Sequence, residues 1–157
     1  MSDIAWETEH SVEATATLAF AWMYMTDVRN WDDPPAEFTL HGPFVSGSSG
    51  TTEMPGQESR HWRLRDVEPP DSYTIAIALD EAVILCKWTF TELADCQTRL
   101  TQRITLEGDN ASACIAEVQQ AFEHSLEEGM SRIANAIGEA YARDSTNAKT
   151  SSPAPKA

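Results

Sequence analysis

Tyr73 carries the reactive group that is best placed for chemistry in this sequence. It begins an alternating run in which Tyr73, Ile75 and Ile77 share one face of a predicted strand. A phenol on an apolar sheet face can act as an acid toward an enolate. The commoner role of a buried hydroxyl is an internal hydrogen bond. Tyr73 is therefore a candidate acid, and no catalytic residue is assigned.

The four histidines invite a metal or acid–base interpretation. His10, His41, His61 and His124 are scattered along the chain and fall on the predicted solvent-facing sides of their elements. His124 and Glu128 are four residues apart and share a helix face. Two ligands are too few, because a zinc site needs three or four. The sequence predicts neither a metal site nor a cofactor.

Two other segments resemble functional motifs only superficially. Asp27, Asp32 and Asp33 could form a paired-carboxylate site. Helix capping and solvation explain these residues better, since each lies at a helix end or beside the Pro-Pro pair at 34–35. The segment SGSSG at 46–50 lacks the lysine and the following helix of a phosphate-binding loop. It predicts a hairpin turn that can serve as a mobile lip over a cavity mouth.

Composition restricts the partners and the compartment. The formal net charge is −14 over 157 residues, which repels phosphate backbones, so no nucleic-acid partner is expected. No apolar run is long enough for a membrane span, and the N-terminal residues do not form a signal peptide. Three cysteines without paired spacing indicate reduced thiols. We expect a cytoplasmic protein, either a monomer or a homodimer.

Alternation of apolar and polar residues predicts a series of strands between residues 3 and 107, with one dry face and one wet face. This pattern is typical of antiparallel sheets. After the first strand, Ser11 or Thr15 can cap a short helix. A second short helix, capped by Thr26 or Asp27, ends at the prolines.

A different spacing begins after the last strand and predicts one unbroken helix over 113–142. Its apolar positions recur in steps of three and four: Ile115, Val118, Phe122, Leu126, Met130, Ile133, Ile137 and Tyr141. Beyond it, 143–157 is low in complexity and is expected to be a disordered tail. The predicted organisation is therefore one ligand-binding domain, 1–142, followed by that tail.

Five segments together resemble the START-like (SRPBCC) superfamily of helix-grip proteins, which includes the Bet v 1 relatives. They are FAWMYMTDVRNW, LHGPFVSGSSGTT, RLRDVEPP, TRLTQRITLEG and SLEEGMSRIANAIGEAYA. The likeness covers roughly 4–142 and is nearest to the bacterial polyketide cyclase/dehydrase-type branch. It implies an α+β fold in which a seven-stranded curved antiparallel sheet surrounds a long C-terminal helix, with two short helices after the first strand. It also implies a cavity for lipids, polyketides, sterols or aromatic molecules, without a shared catalytic motif.

The inward faces of the predicted elements supply the candidate ligand-binding residues. They are Phe38, Leu40, Trp62, Tyr73, Ile75, Ile84, Trp88, Phe90, Leu100, Gln102, Ile104, Phe122, Leu126 and Met130. The alternative to a pocket is a plain packed core built from the same side chains.

Three functions remain open at this point. The first is a carrier or sensor that holds a hydrophobic small molecule between sheet and helix, since the lining has few titratable groups. The second is a polyketide cyclase- or dehydratase-like enzyme that uses the same cavity and needs an inward acid or base. The third is a protein-interaction module, which the strongly acidic outer face of the predicted helix disfavours.

Overall fold

A seven-stranded antiparallel sheet is the frame of the structure, a computed structural model that describes residues 4–31, 36–79, 81–122 and 125–151. Within these ranges the strands are β1 (Ile4–Ala14), β2 (Glu37–His41), β3 (Ser49–Glu53), β4 (Arg60–Glu68), β5 (Ser72–Leu79), β6 (Ala82–Ala94) and β7 (Gln97–Glu107). Their order across the sheet is β1-β7-β6-β5-β4-β3-β2, and every neighbouring pair is antiparallel. The predicted sheet is confirmed.

Two short helical elements follow β1, as predicted. Helix α1 spans Leu18–Met25, and a 3₁₀ helix spans Val28–Asn30. The predicted caps of α1, Ser11 and Thr15, are wrong, because β1 continues to Ala14 and the Thr17 hydroxyl accepts the Phe20 N–H at 3.1 Å. Asp27 caps the 3₁₀ helix by accepting the Arg29 N–H, also at 3.1 Å.

The C-terminal helical region forms two segments, α2 (Ala111–Phe122) and α3 (Leu126–Ser151). The prediction of one unbroken helix over 113–142 is therefore wrong, since Ser125 lies in a turn. Its hydroxyl donates to the Ala121 carbonyl at 3.0 Å, a backward side-chain bond that bends helices. The Gly129 N–H donates to the Ser125 carbonyl at 2.8 Å and starts the next segment.

The C-terminal boundary also differs from the sequence expectation. Helix α3 continues to Ser151, so the backbone of 143–151, which was expected to be disordered, is helical. Residues 152–157 lie outside the described part of the chain. The division into a domain of 1–142 and a tail stays a prediction. In the described ranges, no helix is both long and apolar enough to cross a bilayer.

The helices cover one face of the sheet, which becomes the buried face. The backbone of α3 comes closest to β1, α2 approaches β1, β6 and β7, and α1 approaches β6 and β7. Alternate side chains of the central strands point into this space, as in β6, where Ile84, Cys86, Trp88 and Phe90 are all buried. The buried residues form two clusters, one around Tyr73 and one around Ile104.

Candidate functional site: an open cleft beside a buried tyrosine

An open cleft lies between α1, the 3₁₀ helix and β2. Its volume is about 530 Å³. Five of its lining residues are apolar: Met23, Val28, Phe38, Leu40 and Phe44. The others are Thr26, Asp27, Arg29, Thr39 and Gly42. Half of the lining residues are thus apolar, so the cleft offers a hydrophobic molecule apolar surface together with a few polar groups.

The polar residues of the cleft lining include an ion pair, Asp27 and Arg29. The Arg29 Nε and Nη2 atoms donate to the two carboxylate oxygens of Asp27 at 2.9 and 2.8 Å. These side-chain hydrogen bonds from Arg29 lower the pKa of Asp27 below its ordinary value. Both groups thus stay charged near neutral pH and cancel each other, so this part of the rim carries no net charge.

Aromatic rings fill the space next to the cleft. Tyr73 is at their centre, with the ring centroids of Phe44, Trp22 and Phe90 at 4.9, 5.8 and 6.0 Å from its own. We call these four residues the tyrosine cluster. Edge-on contacts such as those of Phe44 and Trp22 are favourable arrangements for aromatic pairs.

The Tyr73 hydroxyl has no protein partner in these surroundings. Tyr73 is completely buried, and its oxygen makes no hydrogen bond with any of the described residues. Burial raises the pKa of Tyr73 well above its ordinary value, so the phenol remains protonated. A buried polar group without a partner costs stability and is rare in folded proteins, which makes this hydroxyl a notable feature.

Trp62 forms a second, fixed aromatic wall. Its Nε1 donates to the Thr52 hydroxyl at 3.1 Å, and its ring lies directly over Gly50 of β3. A Cβ atom at Gly50 would overlap the Trp62 ring, so only glycine fits there. Trp31 packs against Trp62 at a centroid distance of 5.4 Å and against Phe38 at 5.5 Å. The cleft side chain Phe38 is thereby connected to the buried aromatic residues.

His10 faces inward, which corrects the prediction that it lies on a solvent-facing side. It is paired with Gln102 across β1 and β7, and directly opposed residues of neighbouring strands project from the same face. The same cross-strand row continues through Trp88 of β6 to Tyr73 of β5. We call His10 and Gln102 the histidine pair. Both are half-buried, whereas Tyr73 at the other end of the row is fully buried.

Cys86 lies next to this row on the same face. Burial raises the pKa of its thiol to about 12, against a smaller opposing effect of a hydrogen bond with Gln102. The thiol is therefore uncharged near neutral pH. It contributes bulk and a weak polar contact to the interior, and it is a poor nucleophile in this state.

The structure distributes the predicted ligand-binding residues over several settings. Two of them line the cleft: Phe38 and Leu40. Those in the cluster around Tyr73 are Trp62, Tyr73, Trp88, Phe90, Leu100 and Met130. Those in or against the cluster around Ile104 are Ile84, Ile104 and Phe122. Two pack against both clusters, namely Ile75 and Leu126, while Gln102 belongs to the histidine pair.

Sequence reasoning missed Phe44, Met23 and the inward position of His10. Phe44 follows a Gly-Pro turn beyond β2, where no strand or helix period applies. The sequence did contain a signal that His10 faces inward. The polar residues Glu7, Glu9, Ser11 and Glu13 mark the opposite, exposed face of β1.

The other candidate residues do not assemble into a site. His41 and His61 are exposed. His124, Asp32, Asp33 and 34–35 lie outside the described residues. Among the residues that the structure describes, no three His, Cys, Asp or Glu side chains are grouped so that they could hold a metal ion.

The sheet, the two short helices and the C-terminal helical segments define a helix-grip protein of the Bet v 1-like class. Residues 5–138 match the family described as polyketide cyclase/dehydrase and lipid transport. The match extends over most of the chain, so the chain belongs to this family, and the resemblance seen in its sequence is confirmed. Among curated proteins, no sequence matches the chain.

Solved structures with the same fold are distant in sequence. A point mutant of norcoclaurine synthase from Thalictrum flavum, in complex with a transition-state analogue, is 10% identical with a TM-score of 0.67, over 88% of this chain and 97% of that one. Protein Ms6760 from Mycobacterium smegmatis is 21% identical with a TM-score of 0.58, over 87% and 94%. A protein from Arthrobacter aurescens is 21% identical with a TM-score of 0.63, over 87% and 91%. At these identities the likeness establishes the fold alone.

Proposed function

We propose that this protein binds a hydrophobic small molecule and acts as a carrier or sensor of that molecule. The sequence led us to expect the cavity between the sheet and the C-terminal helix, whereas the cleft lies between α1, the 3₁₀ helix and β2. The observation that carries the proposal is the open cleft of about 530 Å³, whose apolar wall adjoins the aromatic interior. Phe38 and Phe44 belong to both, because they line the cleft and contact Trp31 and Tyr73 respectively. A ligand entering the cleft meets aromatic surface at once.

The family description supports a hydrophobic ligand, since it combines polyketide chemistry with lipid transport. The interior supports binding without reaction, because the tyrosine cluster carries no charge near neutral pH and the Cys86 thiol is uncharged there too. The free state of all three cysteines is in keeping with the reducing cytoplasm expected from the sequence.

A cyclase- or dehydratase-like enzyme is the second candidate, and the inward position of His10 favours it. An imidazole and a protonated phenol then occupy the two ends of one cross-strand row, as base and acid candidates. The two ends are three strand spacings apart, about 14 Å along the sheet, so they would act on different parts of one ligand. Neither His10 nor Tyr73 lines the cleft, so this enzyme would need its ligand to pass from the cleft into the interior.

Native mass spectrometry of the protein purified from its own host tests the binding proposal. We expect a bound small molecule that is released by denaturation. Met23→Trp should reduce the bound fraction by filling the cleft, because Met23 lines it and is 58% exposed. Leu93→Trp is the matched control, since Leu93 is also an exposed apolar residue but lies on β6 away from the cleft. Empty protein, or equal loss in both variants, contradicts the proposal.

The recovered molecule also distinguishes binding from catalysis. The purified protein is incubated with it, and the products are analysed by mass spectrometry for loss of water or a changed ring pattern. A carrier leaves the molecule unchanged. Turnover that falls in both Tyr73→Phe and His10→Ala supports the enzyme, whereas turnover that is unaffected in both excludes these two residues from the reaction.

A further inference from the structure

The buried, unpartnered hydroxyl of Tyr73 belongs to a ring that packs among uncharged aromatic rings. Trp22, Phe44 and Phe90 surround the Tyr73 ring, and no described residue accepts or donates a hydrogen bond at its oxygen. Since the phenol stays protonated, it can donate to a neutral acceptor. An ionised carboxylate would be unfavourable there, because the rings provide no countercharge. The surroundings thus select a neutral oxygen acceptor.

Phe44 is the member of the tyrosine cluster that both lines the cleft and contacts the Tyr73 ring. It lines the cleft, it is half-buried, and its ring stands at 87° to that of Tyr73 with centroids 4.9 Å apart. Trp22 and Phe90 do not line the cleft. A ligand ring that took the position of the Phe44 ring would reach Tyr73 directly from the opening.

The loop that carries Phe44 is tied to β4 on its C-terminal side. The Gly47 N–H donates to the Leu64 carbonyl at 2.8 Å, and the Ser46 hydroxyl accepts the Val67 N–H at 2.9 Å. Moving the whole loop would break these bonds. Rotation of the Phe44 side chain breaks none of them, so it is the less costly way to open the path.

We propose that Phe44 is a gate between the cleft and Tyr73, and that the ligand is a neutral ring compound whose oxygen accepts the Tyr73 hydrogen bond in the place that the Phe44 ring leaves. The proposal rests on the proposed function and specifies the ligand of the same site. Tyr73 then selects among hydrophobic molecules by one hydrogen bond, and Phe44 fills the position when no ligand is bound.

Two probes of nearly equal shape test the role of Tyr73. 2-Acetylnaphthalene carries an acceptor oxygen, and 2-ethylnaphthalene does not. Dissociation constants of both are measured at pH 7 for the wild type and for Tyr73→Phe. Because one hydrogen bond contributes about 0.5–1.5 kcal/mol, the ratio of the two constants should shift by about 2- to 12-fold against the ketone in Tyr73→Phe. Because the ratio of the two dissociation constants is compared between the wild type and the variant, the different solubilities of the probes do not affect the result.

Tyr141→Phe is the matched control for that ratio. The Tyr141 hydroxyl contacts the Cys96 Sγ atom at 3.2 Å, and Tyr141 does not line the cleft. The ratio should be the same in Tyr141→Phe as in the wild type. An unchanged ratio in Tyr73→Phe, or an equal shift in both variants, overturns the assignment of Tyr73.

Association rates test the gate. Tryptophan fluorescence follows binding, because Trp22 lies in the tyrosine cluster and Trp31 packs against Phe38 of the cleft. Phe44→Ala should raise the association rate constant of both probes, and Phe44→Leu provides a milder variant should the first fold poorly. Val45→Ala is the control, since Val45 is the next residue, is 49% exposed and does not line the cleft. Rates that are unchanged in both Phe44 variants overturn the gate.

The outcome also separates this inference from the proposed function. If the protein from its own host carries a ligand but neither probe binds, the ligand class inferred from Tyr73 is wrong and the binding function stands. If no ligand co-purifies and neither probe binds, both proposals fail.

Discussion

The two ends of one cross-strand row differ in their access to water. Tyr73 on β5 is fully buried among aromatic rings, whereas the histidine pair on β1 and β7 is only half-buried. Both ends lie on the same face of the same sheet and are linked through Trp88. Strand alternation therefore decides which face a side chain joins, while the elements that cover the face decide how dry each position is.

The covering elements explain the difference. Over Tyr73, α1 supplies Trp22 and the loop after β2 supplies Phe44, so two large rings pack against the Tyr73 ring. Over β1, the main cover is α3, whose buried residues Met130, Ala134 and Ile137 are not aromatic. Bulky aromatic side chains exclude water from the first region. In the second region, α3 contributes Tyr141, whose ring contacts Phe20 of α1.

Gly50→Ala should have the largest effect on stability, because it disturbs the aromatic interior around Trp62 and Tyr73. The added methyl group would overlap the Trp62 ring, which is held by its hydrogen bond to Thr52. We expect the free energy of unfolding to fall by about 3 kcal/mol, at the upper end of the range for an overpacked core. Urea unfolding measures it. Gly129→Ala is the control, because its Cβ would meet only Arg132 Nη2 at 3.9 Å, and it should gain up to about 1 kcal/mol from helix propensity.

Tyr73→Phe should stabilise the protein, in contrast to Gly50→Ala. Removing a buried hydroxyl that has no partner should raise the free energy of unfolding by about 2 kcal/mol, because the cost of its desolvation disappears. Tyr141→Phe should instead lower it by about 1 kcal/mol, since its hydroxyl loses the contact with Cys96. A loss of stability in Tyr73→Phe would mean that the hydroxyl has a stabilising partner.

Alkaline pH should destabilise the interior through its two buried acids. Burial raises the pKa of Cys86 from 9.0 to about 12 and raises that of Tyr73 above 10.0. The folded state therefore retains protons that the unfolded chain releases, so the stabilisation is complete below pH 9 and declines as the pH rises above it. Urea unfolding from pH 7 to 11 should show this decline, and it should be shallower in Cys86→Val. Parallel curves for the two proteins would contradict it.

Replacing His10 of the histidine pair should have the smallest effect on stability. His10 is half-buried, so a change to leucine alters little desolvated surface, and we expect the free energy of unfolding to change by less than about 0.5 kcal/mol. The same urea titration provides the measurement. A loss of several times that amount would show that His10 is as tightly packed as Tyr73, and the contrast between the two regions would disappear.

Much of the fold was predictable from the sequence, because period-two alternation marks most of the strands and the family resemblance implies a seven-stranded antiparallel sheet with a C-terminal helix. The same alternation predicted that Tyr73, Trp88 and Gln102 lie on the buried face. The strand pairing agrees, because Trp88 is directly opposite both Tyr73 and Gln102. Alternation could also have placed His10, whose neighbours on β1 are exposed acids. Periodicity did not reveal the break at Ser125, because the apolar stripe runs through both helical segments.

The cleft was less predictable than the fold. Phe38 and Leu40 were named from strand alternation, but Phe44 and Met23 depend on how a loop and a short helix meet in space. The missing partner of Tyr73 could not be foreseen either, since a hydrogen bond is a property of three-dimensional neighbours rather than of spacing along the chain.

The Asp27–Arg29 pair makes part of the cleft entrance electrically neutral in a chain whose formal charge is −14. An anionic solute must cross the repulsive field of the whole molecule before it reaches this entrance, whereas an uncharged solute does not. Added salt screens such fields over about 8 Å at physiological ionic strength. Uptake of neutral molecules should thus be insensitive to salt, and acidic competitors should be excluded most strongly when salt is low.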